Sequence, residues 1–195
     1  MRLLMALLMT ASVSVHADLG ELIQAYDQTS WQTQDAGAKL SELEGHLAAV
    51  NAMDDSSEVL MWRGAIGASV AREKGGVGAL GAIKAAKKSL LASLEADGQN
   101  HMARAILANL LAKAPGWPLS VGNKKEAAAL FQSVLKAQPD NLIALQGFGD
   151  LMLAKKQPDE ARGYYAAALQ AAPRVGREMA DIARQTQIKA QLDAL

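Results

Sequence analysis

Apolar residues along this chain recur every three or four positions, the spacing of one helical face rather than of a strand. Leu19, Leu22, Ile23 and Tyr26 fall at i, i+3, i+4 and i+7, and Leu40, Leu43, Leu47 and Val50 keep the same rhythm. Leu80, Ile83, Leu90, Leu91 and Leu94 make a third stripe; Ile106, Leu107, Leu110 and Leu111 make a fourth. Alanine is abundant and β-branched residues are sparse, so intrinsic propensity agrees with the periodicity. No segment reads as a strand. The prolines, at positions 115, 118, 139, 158 and 173, all fall between stripes, each disfavouring helix at the residue before it. The pattern predicts nine helices, over roughly 19–30, 34–52, 56–73, 79–96, 100–114, 123–137, 141–155, 158–171 and 174–193.

Two helix starts can be read in detail. Asn123 with Glu126 three residues on resembles a capping box. Pro158 suits a first helical position, with Asp159 and Glu160 placing negative charge at the positive end of the helix dipole.

One spacing occurs twice. Ala127, Phe131 and Pro139 recur 34 positions later as Ala161, Tyr165 and Pro173. A fixed period of this size marks a helix–turn–helix unit of a solenoid, an architecture that displays surfaces for partners. The last pair of helices carries Phe148-Gly149, Met152, Ala161, Tyr165, Ala168-Leu169 and Pro173, and resembles a tetratricopeptide repeat. Each signature residue has a packing reason: Gly149 and Ala161 allow close approach, while Phe148, Met152 and Tyr165 fill the space between helices. The preceding pair matches with Leu107-Ala108, Leu111, Ala127, Phe131, Leu135 and Pro139, and the resemblance weakens towards the N-terminus. From Gly149 to Ala161 is 12 positions, but from Ala108 to Ala127 is 19, which puts seven extra residues in the loop Pro115–Asn123. A comparable glycine-rich widening is expected around Glu73–Gly81. Insertions of this kind emerge on one face and often carry function.

The run Ala114–Ala127 and the tail Arg174, Arg177, Asp181 and Arg184 look like the tetratricopeptide T component of bacterial TRAP-type transporters and its periplasmic relatives, over about residues 75–190. The resemblance implies an α-helical scaffold and an accessory role in solute uptake. Such relatives are often lipoproteins; this chain has no Cys, so a lipid tether does not carry over.

Composition narrows the class. Met1-Arg2, an apolar stretch to Val15 and Val15-His16-Ala17 before Asp18 read as a secretory signal peptide cleaved after Ala17. The expected organisation is a leader over 1–17 and one α-helical domain over 18–195, periplasmic and not membrane-spanning. Twenty basic and twenty acidic residues give a formal charge of zero, with no Lys/Arg run, which argues against nucleic acid as a partner. Without Cys there are no disulfides and no thiolate metal sites.

Candidate chemistry is thin. Gly76-Val-Gly78-Ala-Leu-Gly81 spells a dinucleotide fingerprint, but a predicted helix precedes it where the mechanism needs a strand. Gly67-Ala-Ser69-Val-Ala71 misses a nucleophile elbow and lies within a helix. Glu42 and Glu44 near His46 read as surface charge, Asp54-Asp55 and Asp159-Glu160 as helix-start charge, and Met53, Met61, Met102, Met152 and Met179 as gap-fillers. No cofactor, no metal and no catalytic constellation are expected.

What remains is the groove. In such repeats the first helix of each pair lines the concave face. Asn109 and Lys113 should point into it from one helix, Gln146 and Asp150 from the next. The alternative, a solvated helix face on which Lys113 and Asp150 pair with each other, is the favoured reading. Trp117, between Gly116 and Pro118, is either an anchor for a partner or a lid on neighbouring helices, the lid being favoured. Tyr164 is a further aromatic candidate on the convex side. The expectation is an all-α, right-handed tetratricopeptide-type α-solenoid of about four hairpins with a capping helix. Its expected role is a non-enzymatic adaptor for a protein or peptide of the bacterial envelope, or an accessory component of solute transport.

Overall fold

The computed structural model describes residues 18–195, and the leader expected over 1–17 lies outside them. Those residues form nine helices: α1 (Leu19–Gln32), α2 (Ala36–Asn51), α3 (Ser57–Lys74), α4 (Ala79–Ala96), α5 (His101–Lys113), α6 (Lys124–Ala137), α7 (Leu142–Ala154), α8 (Pro158–Gln170) and α9 (Glu178–Asp193). Among the described residues there is no strand, only an isolated bridge between Gly116 and Gly122. No described helix is long and apolar enough to cross a membrane.

Short polar residues start most of these helices. Asp18, Asp35, Ser56, Asn100, Asn123 and Asn141 each accept a hydrogen bond from a first-turn backbone amide, satisfying a donor that has no intrahelical partner. At Asn123 the amide of Glu126 donates to Oδ1 at 3.1 Å, and the Asn123 Nδ2 donates back to the Glu126 carboxylate. Pro158 occupies the first turn of α8 as its fixed φ predicts. Asp54 and Asp55 do not cap α3. Ser56 does, and Asp55 instead pairs with Arg63 at 2.8 Å.

Each helix packs on the next in sequence, giving the hairpins α1–α2, α3–α4, α5–α6 and α7–α8, with α9 laid on α8. The first helices also meet one another, α3 with α5 and α5 with α7. That is an α-solenoid of helical hairpins. The repeated positions are the core: Ala127, Phe131 and Val134, and their counterparts Ala161, Tyr165 and Ala168, are all fully buried. A Cβ on Gly149 would lie 2.5 Å from the Tyr165 ring, so only glycine lets α7 and α8 close to this distance. Phe131 stacks on Phe148 at 5.6 Å, and Phe148 meets Tyr164 at 4.5 Å, which puts Tyr164 inside the hairpin packing rather than on a convex contact surface.

Two expected boundaries move. The link between α3 and α4 is four residues long, turned by Gly75 and Gly76 at φ 59 and 50, so no wide loop exists there. The extra length sits in the helices themselves: α3 and α4 run 18 residues each, against 13 for α7 and α8. Helix α9 starts at Glu178 instead of 174, because Gly176 at φ 75 turns the chain and Arg174 carries out a different task.

Candidate functional site

The first helices of the hairpins, with α9, surround a hollow of about 670 Å³ lined from α1, α3, α5, α7 and α9 and from the segment before α9. That volume is in the range of small-ligand sites. Helix α1 touches α9, so the two ends of the array meet beside the hollow.

Four of the five residues singled out from the sequence line this hollow: Asn109, Lys113, Gln146 and Asp150. Lys113 and Asp150 pair at 2.9 Å. Asp150 also accepts from the Tyr165 hydroxyl at 2.7 Å, so the buried repeat aromatic of α8 fixes the groove carboxylate. Burial first, then the hydrogen bond and charge of Asp150, push the Tyr165 phenol well above its ordinary range. Asn109 is committed to the scaffold: Nδ2 donates to the carbonyl of Ala105 at 3.1 Å and to that of Ile143 at 3.4 Å, tying α5 to α7. Gln146 is buried, and its Oε1 accepts from Arg184 of α9.

Trp117 is not the lid that its flanking prolines suggested. It stands 89% exposed on the α5–α6 loop, with Leu119 exposed beside it. The loop is closed beneath it: Gly122 donates to the Pro115 carbonyl at 2.8 Å, and a Cβ on Gly122 would fall 2.1 Å from the Ala114 carbonyl oxygen. Backbone packing therefore holds the loop, and the indole stays outside while Ala114 and Pro115 line the rim of the hollow.

A second group of lining residues was missed in the sequence. Arg177 forks onto Asp27 of α1, Nε at 2.5 Å and Nη2 at 2.6 Å, and lies over the Trp62 ring at 4.6 Å. Arg174 binds the buried Asp181 through Nε at 2.8 Å, Nη2 at 2.6 Å and its own backbone amide at 2.9 Å. Burial alone would raise the Asp181 carboxyl. The Arg174 hydrogen bonds, with the charges of Arg174 and Arg184, hold it below its usual value. Arg184 lies over the Trp31 ring at 5.4 Å. Desolvation and the like charges of Arg174 and Arg177 bring its guanidinium down to about 10. The signal was present as charges at 174, 177, 181 and 184, clustered at and just before the start of α9.

Residues 119–186 match the family model for the tetratricopeptide repeat. That match supports a tetratricopeptide repeat protein. It spans the second half of the inserted loop, α6, the whole α7–α8 hairpin and the first half of α9, so the arginine wall lies within it. No curated protein matches the chain. Tetratricopeptide repeats are typically interaction scaffolds, and the remaining polar groups fit scaffolding. Ser69, inside α3, is buried and bonds the Tyr26 hydroxyl at 2.8 Å. His46 and Glu42 share Thr29 of α1, at 3.0 and 2.7 Å, a tie between the first two helices. Gly76 and Gly78 lie in the turn after α3, with a helix rather than a strand before them. Among the described residues no group of three His, Cys, Asp or Glu side chains is placed to hold a metal.

Proposed function

We propose that this chain is a non-enzymatic scaffold, exported to the bacterial periplasm, that holds a protein or peptide segment in the hollow of its repeat array. The observation that carries this reading is that α1, α3, α5, α7 and α9 all present side chains to one hollow. Lys113 and Asp150 supply a cation and a carboxylate to it, and the aromatic and arginine cluster supplies further cations and rings. Groups of this kind bind an extended chain through its backbone and charged ends. The test is affinity capture from envelope extracts with the wild-type protein and with Lys113→Glu. Lys113 is largely solvent-exposed, so the substitution spares the core while setting two carboxylates side by side. A partner retained by the wild type and lost by the variant supports the scaffold; no specific partner in either sinks it.

The second reading is an accessory component of solute uptake that holds a small molecule or docks a substrate-binding partner. The contact between α1 and α9 favours it, because a hollow beside which the array's ends meet suits a small ligand better than a long peptide. A thermal-shift screen separates the two, since a bound small molecule raises the midpoint with its concentration.

A further inference from the structure

Trp117 and Leu119 project from the α5–α6 loop, 89% and 67% exposed, although that loop has inward anchors of its own. Val121 packs on the core and Ser120 is buried, so the residues that seat the loop are not those that stand out. The amides of Leu119 and Ser120 donate to the Gly116 carbonyl at 3.1 and 3.2 Å, which fixes the tip. Large apolar side chains held outward in this way give nothing to folding, and such groups mark contact surfaces.

The loop has neighbours. Helices α5 and α7 run the same way, since Asn109 meets Ile143 and, further along both, Lys113 meets Asp150. Ser57 at the start of α3 meets Asn100 just before α5 at 3.0 Å, and the hairpin order gives α3 the same direction. The turns that follow these three helices therefore lie along one edge. The α3–α4 turn adds Val77, 85% exposed. The α7–α8 turn adds Lys155 and Lys156, and the α5–α6 loop leads into Lys124 and Lys125. All four lysines are exposed and form no ion pair among the described residues. Between Lys113 and Lys125 the sequence holds no acidic residue. The carboxylates that follow are engaged: Glu126 with Asn123, Asp159 with Arg162 and Glu160 with Gln157.

We propose that this edge docks on an anionic lipid surface, Trp117 and Leu119 entering the headgroup region while the four lysines meet the lipid phosphates. Tryptophan suits that boundary, with an apolar ring and an N–H that stays hydrated. Lysine stems lie along the apolar layer while their ammonium groups reach the negative charge. Side chains at loop tips along an edge reach a flat surface together, and the cations around them match its sign. The contact is peripheral and independent of what the hollow holds.

Vesicle flotation tests it on residues 18–195, which carry the described helices and leave out the apolar stretch expected as a leader. The probes are phosphatidylcholine vesicles and the same vesicles with about one third phosphatidylglycerol. Saturable binding to the anionic vesicles alone, falling as salt rises, is the result expected. Trp117→Ala with Leu119→Ser should weaken it about tenfold or more, as two exposed apolar side chains are lost. Lys124→Glu with Lys125→Glu should weaken it about twentyfold or more. All four positions are exposed, so circular dichroism should stay unchanged in both variants. Brominated acyl chains should quench the tryptophan fluorescence of the unaltered protein but not of Trp117→Phe, because Trp31 and Trp62 line the hollow. No binding to anionic vesicles, or undiminished binding in the Trp117, Leu119 variant, overturns the proposal. So does a protein captured through Trp117 and Leu119 by a chain that ignores vesicles, the outcome that makes this edge a protein contact.

Discussion

Arg177 and Asp27, 150 residues apart in the chain, form a two-pronged ion pair that ties the segment before α9 to α1. Asp27 is only 4% exposed. Removing one member of a buried pair leaves the other charged and without a partner, a loss of about 3–5 kcal/mol. Asp27→Ala should therefore destabilise the fold by roughly 3 kcal/mol in urea unfolding. Replacing both, as Asp27→Leu with Arg177→Met, should cost clearly less. A larger loss in the double variant would mean that the pair contributes net stability of its own.

The close approach of α7 and α8 depends on Gly149. A methyl group there meets the Tyr165 ring at 2.5 Å, and the ring is fully buried and cannot swing away freely. Gly149→Ala should lower stability by about 1–3 kcal/mol through overpacking, despite the better helix propensity of alanine. Gly163→Ala on the open side of α8, where nothing lies within 4 Å, is the control and should be neutral or slightly stabilising. Chemical denaturation of the two variants checks both.

The Lys113–Asp150 pair should matter little to folding. Lys113 is 62% exposed, and ion pairs at exposed sites contribute about 0–1 kcal/mol. Lys113→Met is expected to change the thermal midpoint by no more than a degree or two. Tyr165→Phe removes the other hold on Asp150 and should cost about 1 kcal/mol, a typical value for one hydrogen bond.

Acid should weaken the arginine wall. The Asp181 carboxyl is held below its ordinary 3.8, so the folded state binds its proton less readily than the unfolded chain does. Its stabilisation is complete above that value and fades as the pH falls below it. In Asp181→Asn this part of the acid sensitivity should vanish, at a lower stability near neutrality. Denaturation midpoints followed downwards from about pH 6 through 3.8 and below show whether the slope changes under the ordinary value.

Trp117 should be dispensable for folding. Its side chain makes little contact, and exposed substitutions away from special features lie within about 0.5 kcal/mol. Trp117→Ala should leave the unfolding midpoint unchanged; a large loss would restore the lid.

Helix positions were legible because the signals are local: apolar stripes, short polar caps and prolines each act over one turn. The repeat was legible because Phe131 and Tyr165 occupy equivalent positions 34 residues apart, both fully buried. Asn109, Lys113, Gln146 and Asp150 were found by helical spacing together with the repeat resemblance, which assigned the concave face to the first helices, and all four line the hollow. Their partners were not foreseen. Asn109 turns to the Ile143 carbonyl and Gln146 to Arg184, contacts made between helices that no single-helix pattern encodes. The Arg177–Asp27 tie escaped for the same reason, since its register depends on how far four hairpins curve. Trp117 was misjudged because two glycine-dependent backbone contacts, not the indole, close its loop.

The central claim is that the hollow between the first helices is where this protein binds. Ile106→Trp would fill that space from α5 while leaving every arginine, Lys113 and Asp150 in the sequence. Titration of the captured partner or ligand against this variant is the direct measurement. Binding reduced by about tenfold or more, with helicity and thermal midpoint retained, is the result predicted. Undiminished affinity in a folded Ile106→Trp protein would contradict the account and move the binding surface to the outside of the array.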